Sequence, residues 1–279
     1  MKHDVNISKL ISYWLRHKPS EVGLDVDEFG WVDVDALLAA LDRKGFNLQV
    51  NDLKEFNQSF DKIRWEIDLS GNRIRATHGH SIPVVLNNSP SVPPSVLFHG
   101  TSLQNAISIL NKGILPMNRQ FVHLSANVNM AVEVGRRHGI PIVIEVDTEE
   151  LLEMGQKFYH TSDNVWLTPS IDKLCVNFAP WHNISTQEKN MLLEELIREV
   201  PKGHQIYDEI GDIEAIMRRY DKDDALFMNS RSGKVFEVHL TFKRSKEMNI
   251  KFPSTREFSD IEEWIKGSLL KDQSDLYCI

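Results

Sequence analysis

Cysteine is almost missing from this chain, with two in 279 residues. Cys175 and Cys278 stand far apart and lack CxxC spacing, so neither a disulfide framework nor a cysteine-rich zinc site can be built from them. Long apolar runs are missing as well. No stretch approaches the roughly 18 residues that a membrane span requires, and the first residues do not read as basic and then apolar. Both readings lead us to expect a cytoplasmic protein that does not enter the membrane. Basic charge is also in short supply: 32 Lys and Arg stand against 40 Asp and Glu, a net charge of −8 shared between residues 1–183 and 184–279. Gripping long stretches of nucleic-acid backbone by charge alone is therefore disfavoured. A local site for one or two phosphates is not, because a few well-placed arginines suffice. Low-complexity tracts and fixed-period repeats are lacking too, and 41% hydrophobic with 26% charged residues is an ordinary globular composition.

What is present divides into segments. Val84 to Ser95, VVLNNSPSVPPS, holds three prolines among Ser and Asn, which permits neither helix periodicity nor strand pairing. We take 84–95 as a linker. Before it, Ile7, Leu10, Ile11, Trp14 and Leu15 fall on one helical face that Pro19 stops, placing Arg16 and His17 in the last turn. Asp27 to Gly30 predicts a turn, Asp33 to Lys44 a helix closed by Gly45, and Asn51 to Phe60 a third helix. Arg64 to Leu69 and Arg73 to Thr77 alternate around Ser70-Gly71-Asn72, a hairpin whose Arg73 and Arg75 face away from Ile74 and Ala76. Three helices and a hairpin suggest a winged-helix-like lobe over 1–83.

After the linker, VLFHG, FVHLS, PIVIEVD, KFYHTSDNVWLT and LCVNFA read as strands. Helices are expected from Leu103 to Lys112, ended by Gly113, and from Asn129 to His138, giving an α+β lobe over 96–183. A third segment, 184–279, opens on the capping-box spelling Ser185-Thr186-Gln187-Glu188. Its pattern is helix, helix, hairpin, helix. The hairpin runs through Ala225 to Asn229 and Lys234 to Thr241, and the last helix from about Ser259 to Leu270. Arg218, Arg219, Asp221, Lys222, Asp223 and Asp224 read most simply as a solvated face and turn. We expect a small α/β module that is accessory to whatever the rest does, with a protein partner that the sequence does not identify.

Several short motifs carry chemistry. Taken alone, each has a plain structural explanation: Arg16 in a last helical turn is an ordinary dipole partner, Arg75 an ordinary outward strand residue, and His123 a satisfied histidine in a core. His78 and His80 flank Gly79 near a hairpin end, where histidines are mostly exposed, and are secondary at best. The conjunction of YWLRHKP, IRATHGHS, FHGTS, MNRQFVHLS and DNVWLT over residues 5 to 180 is another matter. In order and spacing these motifs resemble the RNA (tRNA) 2′-phosphotransferase family.

The resemblance implies an amino-terminal lobe that meets RNA and a second lobe with the ADP-ribosyltransferase fold that holds NAD, which is consumed as co-substrate; no metal is implied. In that family the RNA 2′-phosphate attacks the NAD ribose carbon bearing nicotinamide. The neighbouring ribose hydroxyl then displaces the RNA, leaving ADP-ribose 1″,2″-cyclic phosphate and a free 2′-hydroxyl. Carried over residue by residue, the catalytic set is Arg16, His17, Arg75 and Arg119. Guanidinium groups suit the task because they bind phosphate oxygens bidentately and stay charged. Arg16 and Arg75 are expected on the 2′-phosphate and Arg119 on charge that develops in the second step. His17 either orients the phosphate or protonates the departing oxygen. On the NAD side the resemblance points to His99, Gly100, Thr101, His123, Ser125 and Val165.

Val165 falls where many ADP-ribosyltransferases place a glutamate. A phosphate dianion is already a competent nucleophile, so a carboxylate there would add only repulsion. Thr77-His78 and Asn164 depart from the commoner residues of the pattern. An ADP-ribosyltransferase that caps terminal phosphates of nucleic acid would fit the same pocket, and a non-catalytic RNA or ADP-ribose binding module is the third reading.

Overall fold

The computed structural model describes residues 2–58, 63–85, 89–161 and 165–279. The amphipathic stretch at the start forms α1, Lys2–Arg16, with Ile7, Ile11, Trp14 and Leu15 buried. Pro19 opens a single 3-10 turn, Pro19–Val22, where its missing N–H and fixed φ suit a first turn. β1, Val32–Asp33, leads straight into α2, Val34–Asp42, because the Asp33 carboxylate caps it by accepting from Ala36 N at 2.9 Å. α3 spans Val50–Gln58; its expected end at Phe60 lies outside the described residues. β2, Trp65–Ile67, and β3, Arg73–Ala76, form the expected hairpin, paired Trp65 to Ala76 and Ile67 to Ile74. Asp68 ties its turn by accepting from Ser70 Oγ, Asn72 N and Arg73 N. Trp14, Leu37, Leu41, Leu53 and Trp65 fill the core beneath.

Beyond the proline-rich segment run β4, Val96–Ser102, α4, Leu103–Lys112, β5, Val122–Ser125, and α5, Val128–Arg136. α5 is capped by Asn127, whose side chain accepts from Asn129 N at 2.8 Å. They are followed by β6, Pro141–Asp147, α6, Thr148–Glu153, β7, Tyr159–His160, β8, Val165–Thr168, and β9, Val176–Asn177. Then come β10, Trp181–Asn183, α7, Thr186–Glu199, β11, Ile213–Arg219, β12, Asp224–Asn229, β13, Val235–His239, and β14, Ser254–Phe258. The chain closes with α8, Ile261–Trp264, a π-helical turn Ile265–Leu269, and α9, Leu270–Tyr277. The fold is thus α+β with several sheets. No helix among the described residues is long and apolar enough to cross a membrane.

Two compact units result. The first consists of Met1–Pro94, Leu115–Ala126 and Met154–Ser170, and the second of Ser95–Ile114, Asn127–Glu153 and Ile171–Ile279. The first carries the sheet β1-β3-β2 and the antiparallel run β7-β8-β5. Within it the proline-rich segment has no helix or strand among its described residues, yet it is tied down: Val85 N donates to Glu28 O and Ser91 N to Phe158 O. The second unit carries the antiparallel pairings β4-β6 and β6-β9, and the five-stranded antiparallel sheet β10-β11-β12-β13-β14 with α7 on its core face. The Ser185-Glu188 capping box is formed as the spelling implied.

In residues 184–279 two expectations need correction. The second helix is a 3-10 turn, Tyr207–Asp212, followed by the strand β11, and β14 is a further strand. The stretch around 218–224 is not simply a solvated face. Arg219 is only 7% exposed, donates to both carboxylate oxygens of Asp221, and lies 2.7 Å from Asp272. A groove of about 460 Å³, lined by His182, Arg218, Tyr220 and Lys222 among others, opens beside it.

Candidate active site

Three of the sequence motifs meet inside the first unit. α1 ends at Arg16, whose Nη2 donates to Arg64 O at 3.3 Å. The 79–81 segment is laid against that end: Ser81 N donates to Arg16 O at 2.9 Å, and Ser81 Oγ meets His17 Nδ1 at 3.0 Å. Gly79 has φ +86°, a conformation other residues rarely adopt, and a Cβ there would lie 3.8 Å from both Arg16 Cδ and His123 Nε2. Arg16 and His123 therefore flank one backbone position. On the other side Gln120 N donates to His80 O at 3.3 Å, which brings the Arg119 segment alongside. His123, on β5, has Nδ1 3.0 Å from Phe121 O, which assigns the proton to Nδ1, and its ring centroid lies 5.6 Å from that of His78.

Arg75, on β3, is placed differently. It pairs with Glu66 across the hairpin, donates from Nη1 to Phe29 O at 3.2 Å, and lies 4.5 Å above the ring of Trp31. Arg73 sits 5.3 Å from the same ring. Trp31 and Glu66 were not among the sequence candidates. Nothing in their own spacing marks them, since the hairpin register alone brings Glu66 opposite Arg75.

Electrostatics give the cluster one character. His17 titrates below its ordinary range, first because it is desolvated and then because Arg16 and Arg119 are close. His80 is pushed down to about 4 by burial, then by Arg16, His17 and Arg75. His123 is pushed down to about 3 by burial, then by Arg119 and His78. All three rings are neutral near pH 7, and in each case cations reinforce the desolvation. His80, taken from sequence as a peripheral residue, is 8% exposed and its Nε2 has no hydrogen-bond partner. Its signal was present in the spacing Arg75-x-x-x-Gly79-His80-Ser81. Imidazoles held neutral chiefly by burial, beside guanidinium groups that stay charged, leave the cluster with positive charge that suits an anion.

Ser125 and Val165 are register partners in the β5–β8 pair, and Thr161 N and Oγ both donate to Val165 O at 2.9 Å. Asn164 lies outside the described residues. His99, Gly100 and Thr101 belong to the second unit, on β4. There Gly100 is required by close packing: a Cβ would stand 1.7 Å from Ala131 O of α5. Among the described residues no group of three or more His, Cys, Asp or Glu is placed to hold a metal ion.

The guanidinium and imidazole groups gathered at this glycine turn come from the Arg-His pair and IRATHGHS, two motifs within the span that matches a phosphate-transfer family. The chain belongs to the RNA 2′-phosphotransferase, Tpt1/KptA family, whose model matches residues 2–170. It is 41% identical over 165 residues to a probable RNA 2′-phosphotransferase of Acaryochloris marina, covering 59% of this chain and 91% of that one. A probable RNA 2′-phosphotransferase of Pseudomonas aeruginosa is 42% identical over 165 residues, with coverages of 59% and 91%. One of Acetivibrio thermocellus is 42% identical over 175 residues, covering 62% and 95%.

Proposed function

We propose that this protein moves the 2′-phosphate of RNA onto NAD, giving RNA with a 2′-hydroxyl, nicotinamide and ADP-ribose 1″,2″-cyclic phosphate by way of an ADP-ribosylated RNA phosphate. The observation that carries the reading is the convergence of Arg16, His17, His123 and the Arg119 segment on residues 79–81. The amino-terminal helices and hairpin act as a winged-helix-like RNA lobe, and the strands that follow as an ADP-ribosyltransferase-like lobe for NAD. Our reading extends to RNA processing, tRNA processing included, in the cytoplasm.

Arg16 is the first ligand of the 2′-phosphate, since its side chain runs beside Gly79, in the same turn that His17 contacts. Arg75 joins by exchanging Glu66 for the incoming phosphate; Trp31 beneath it keeps the guanidinium plane in place during the exchange. A dianion entering this site raises the pKa of His17, which is held low before substrate arrives. The proton taken up then serves either a phosphate oxygen or the departing RNA 2′-oxygen. Arg119 neutralises charge that grows on the phosphoryl oxygens in the second step.

The residues on the NAD side fit a dinucleotide whose acceptor is phosphate. His123 is neutral, Ser125 offers a hydroxyl, and Val165, register partner of Ser125, supplies no carboxylate to repel the incoming dianion. His99, Gly100 and Thr101 are assigned to the same substrate.

The test is incubation of the full chain with a short 2′-phosphorylated RNA and NAD, without divalent metal, followed by analysis of both products. One nicotinamide and one cyclic phosphorylated ADP-ribose per 2′-hydroxyl RNA are expected. Release of inorganic phosphate without NAD would make the protein a phosphatase. ADP-ribose left attached to RNA as the end product would make it a capping ADP-ribosyltransferase.

A further inference from the structure

The outer edge of β6 has two different neighbours. β9 covers only Glu145 and Val146. Two residues nearer the strand's start, Val143 is met by a side chain instead. Gln273 Oε1 accepts from Val143 N at 2.9 Å, and Gln273 Nε2 donates to Val143 O at 2.7 Å and to Ala179 O at 3.2 Å. Gln273 is fully buried. A primary amide offers one acceptor and paired donors, so this side chain does for Val143 what a strand continuing β9 would do.

The register carries that contact to the candidate NAD segment. Residues of an antiparallel strand point their backbone groups alternately to one neighbour and the other. Val143 points its pair at Gln273, so Ile142 and Ile144 point theirs at β4, where their partners are Thr101 and His99, with Gly100 opposite Val143 itself. The face of Gly100 is closed by Ala131 O of α5. His99 to Thr101 are thus held by a helix on one face and by β6 along one edge, and β6 is held by Gln273.

The helix that brings Gln273 is itself fixed on both sides of it. Asp272 accepts from Trp181 Nε1 at 2.8 Å and pairs with Arg219 at 2.7 Å. Tyr277 OH donates to Glu145 at 2.8 Å, and Glu145 is the register partner of Phe98. All of these anchors on the helix lie beyond the residues matched by the family model.

We propose that Gln273 is a positioning residue for the NAD segment, and that the carboxy-terminal module serves the second unit as an outer clamp on β6 that fixes His99, Gly100 and Thr101. The proposal rests on the reading that these three residues contact NAD.

Gln273→Leu keeps the volume and removes the amide. In the full chain the KM for NAD should rise about tenfold, while kcat and the KM for a short 2′-phosphorylated RNA change by less than about twofold. Hydrogen exchange should quicken at residues 142–144 and at 99–101 together. Tyr277→Phe, a milder cut in the same clamp, should raise the NAD KM about threefold. A merely structural glutamine would lower the melting temperature, or the fraction of active enzyme, with the NAD KM unmoved; that result would overturn the proposal and leave the proposed function standing. If Gln273→Leu does not fold, an unchanged NAD KM in Tyr277→Phe overturns it equally. A wild-type chain that consumes no NAD with 2′-phosphorylated RNA would overturn both.

Discussion

Lowering the pH from about 6.5 to 5 should destabilise the fold through two particular rings. In the unfolded chain His80 and His123 titrate near about 6.5. Folded, they are pushed down to about 4 and about 3, chiefly by burial. Between those limits only the unfolded chain takes up the protons. The stability tied to these rings is therefore full above pH 6.5 and is lost as pH falls toward the folded values. Integrated over that interval, each ring removes on the order of 1–2 kcal/mol and the pair about 3 kcal/mol. For a chain of this size that is a fall in Tm of roughly 6–12 °C. The assay is thermal unfolding in buffers across the interval for the wild type, His80→Asn and His123→Asn. Slopes are compared rather than absolute Tm, since each variant also loses packing. Each variant should be shallower by the share of one ring. Carboxylates such as Asp68, held below their ordinary range, titrate beneath this interval and contribute little to it. An anionic probe, adenosine 2′-phosphate, should flatten the wild-type slope by drawing protons back into the folded site. Parallel curves for all three proteins would refute the assignment of neutral, cation-flanked imidazoles.

Gly100→Ala places a methyl group 1.7 Å from the Ala131 carbonyl oxygen, a backbone atom that cannot swing aside, and should cost about 3 kcal/mol or more. Urea unfolding with an unchanged midpoint would contradict the packing described at that position. Arg119→Ala should slow the second step of phosphate transfer more than the first, so that an RNA–phospho–ADP-ribose species builds up in a single turnover. Uniformly slow consumption of RNA without that species would move Arg119 from catalysis to substrate binding.

How much of this was legible beforehand differs between the two parts of the chain. Periodicity located α1, the β2–β3 hairpin, β4 to β6 and the α7 capping box because each is a local pattern of burial, turn chemistry or capping. Arg16, His17, Arg119 and His123 are also legible in the sequence, by motif spacing rather than by geometry. Three things escaped. Arg75 is engaged by Glu66 and Trp31, partners set by register and tertiary packing. His80 is buried at the centre of the cluster, although a histidine after a turn glycine is ordinarily exposed. β11 was missed because its glutamate and arginines hid the alternation, and its last residue, Arg219, is buried only because Asp221 and Asp272 neutralise it. The role of Asp272, Gln273 and Tyr277 is of the same kind: side chains near the end of the chain acting on a strand about 130 residues earlier leave no local pattern to read.

That separation has a consequence for biosynthesis. Val143 and Gln273 are 130 residues apart. At the usual elongation rates of about 5–20 residues per second, β6 leaves the ribosome some 6 to 26 seconds before the side chain that completes its edge. During that interval the nascent chain carries an unfinished sheet margin next to the stretch His99–Thr101, a surface to which chaperones or a neighbouring nascent chain can add a strand. Translation pauses or slow codons between residues 147 and 273 should therefore change the soluble yield of this protein, whereas the same changes upstream of β4 should not.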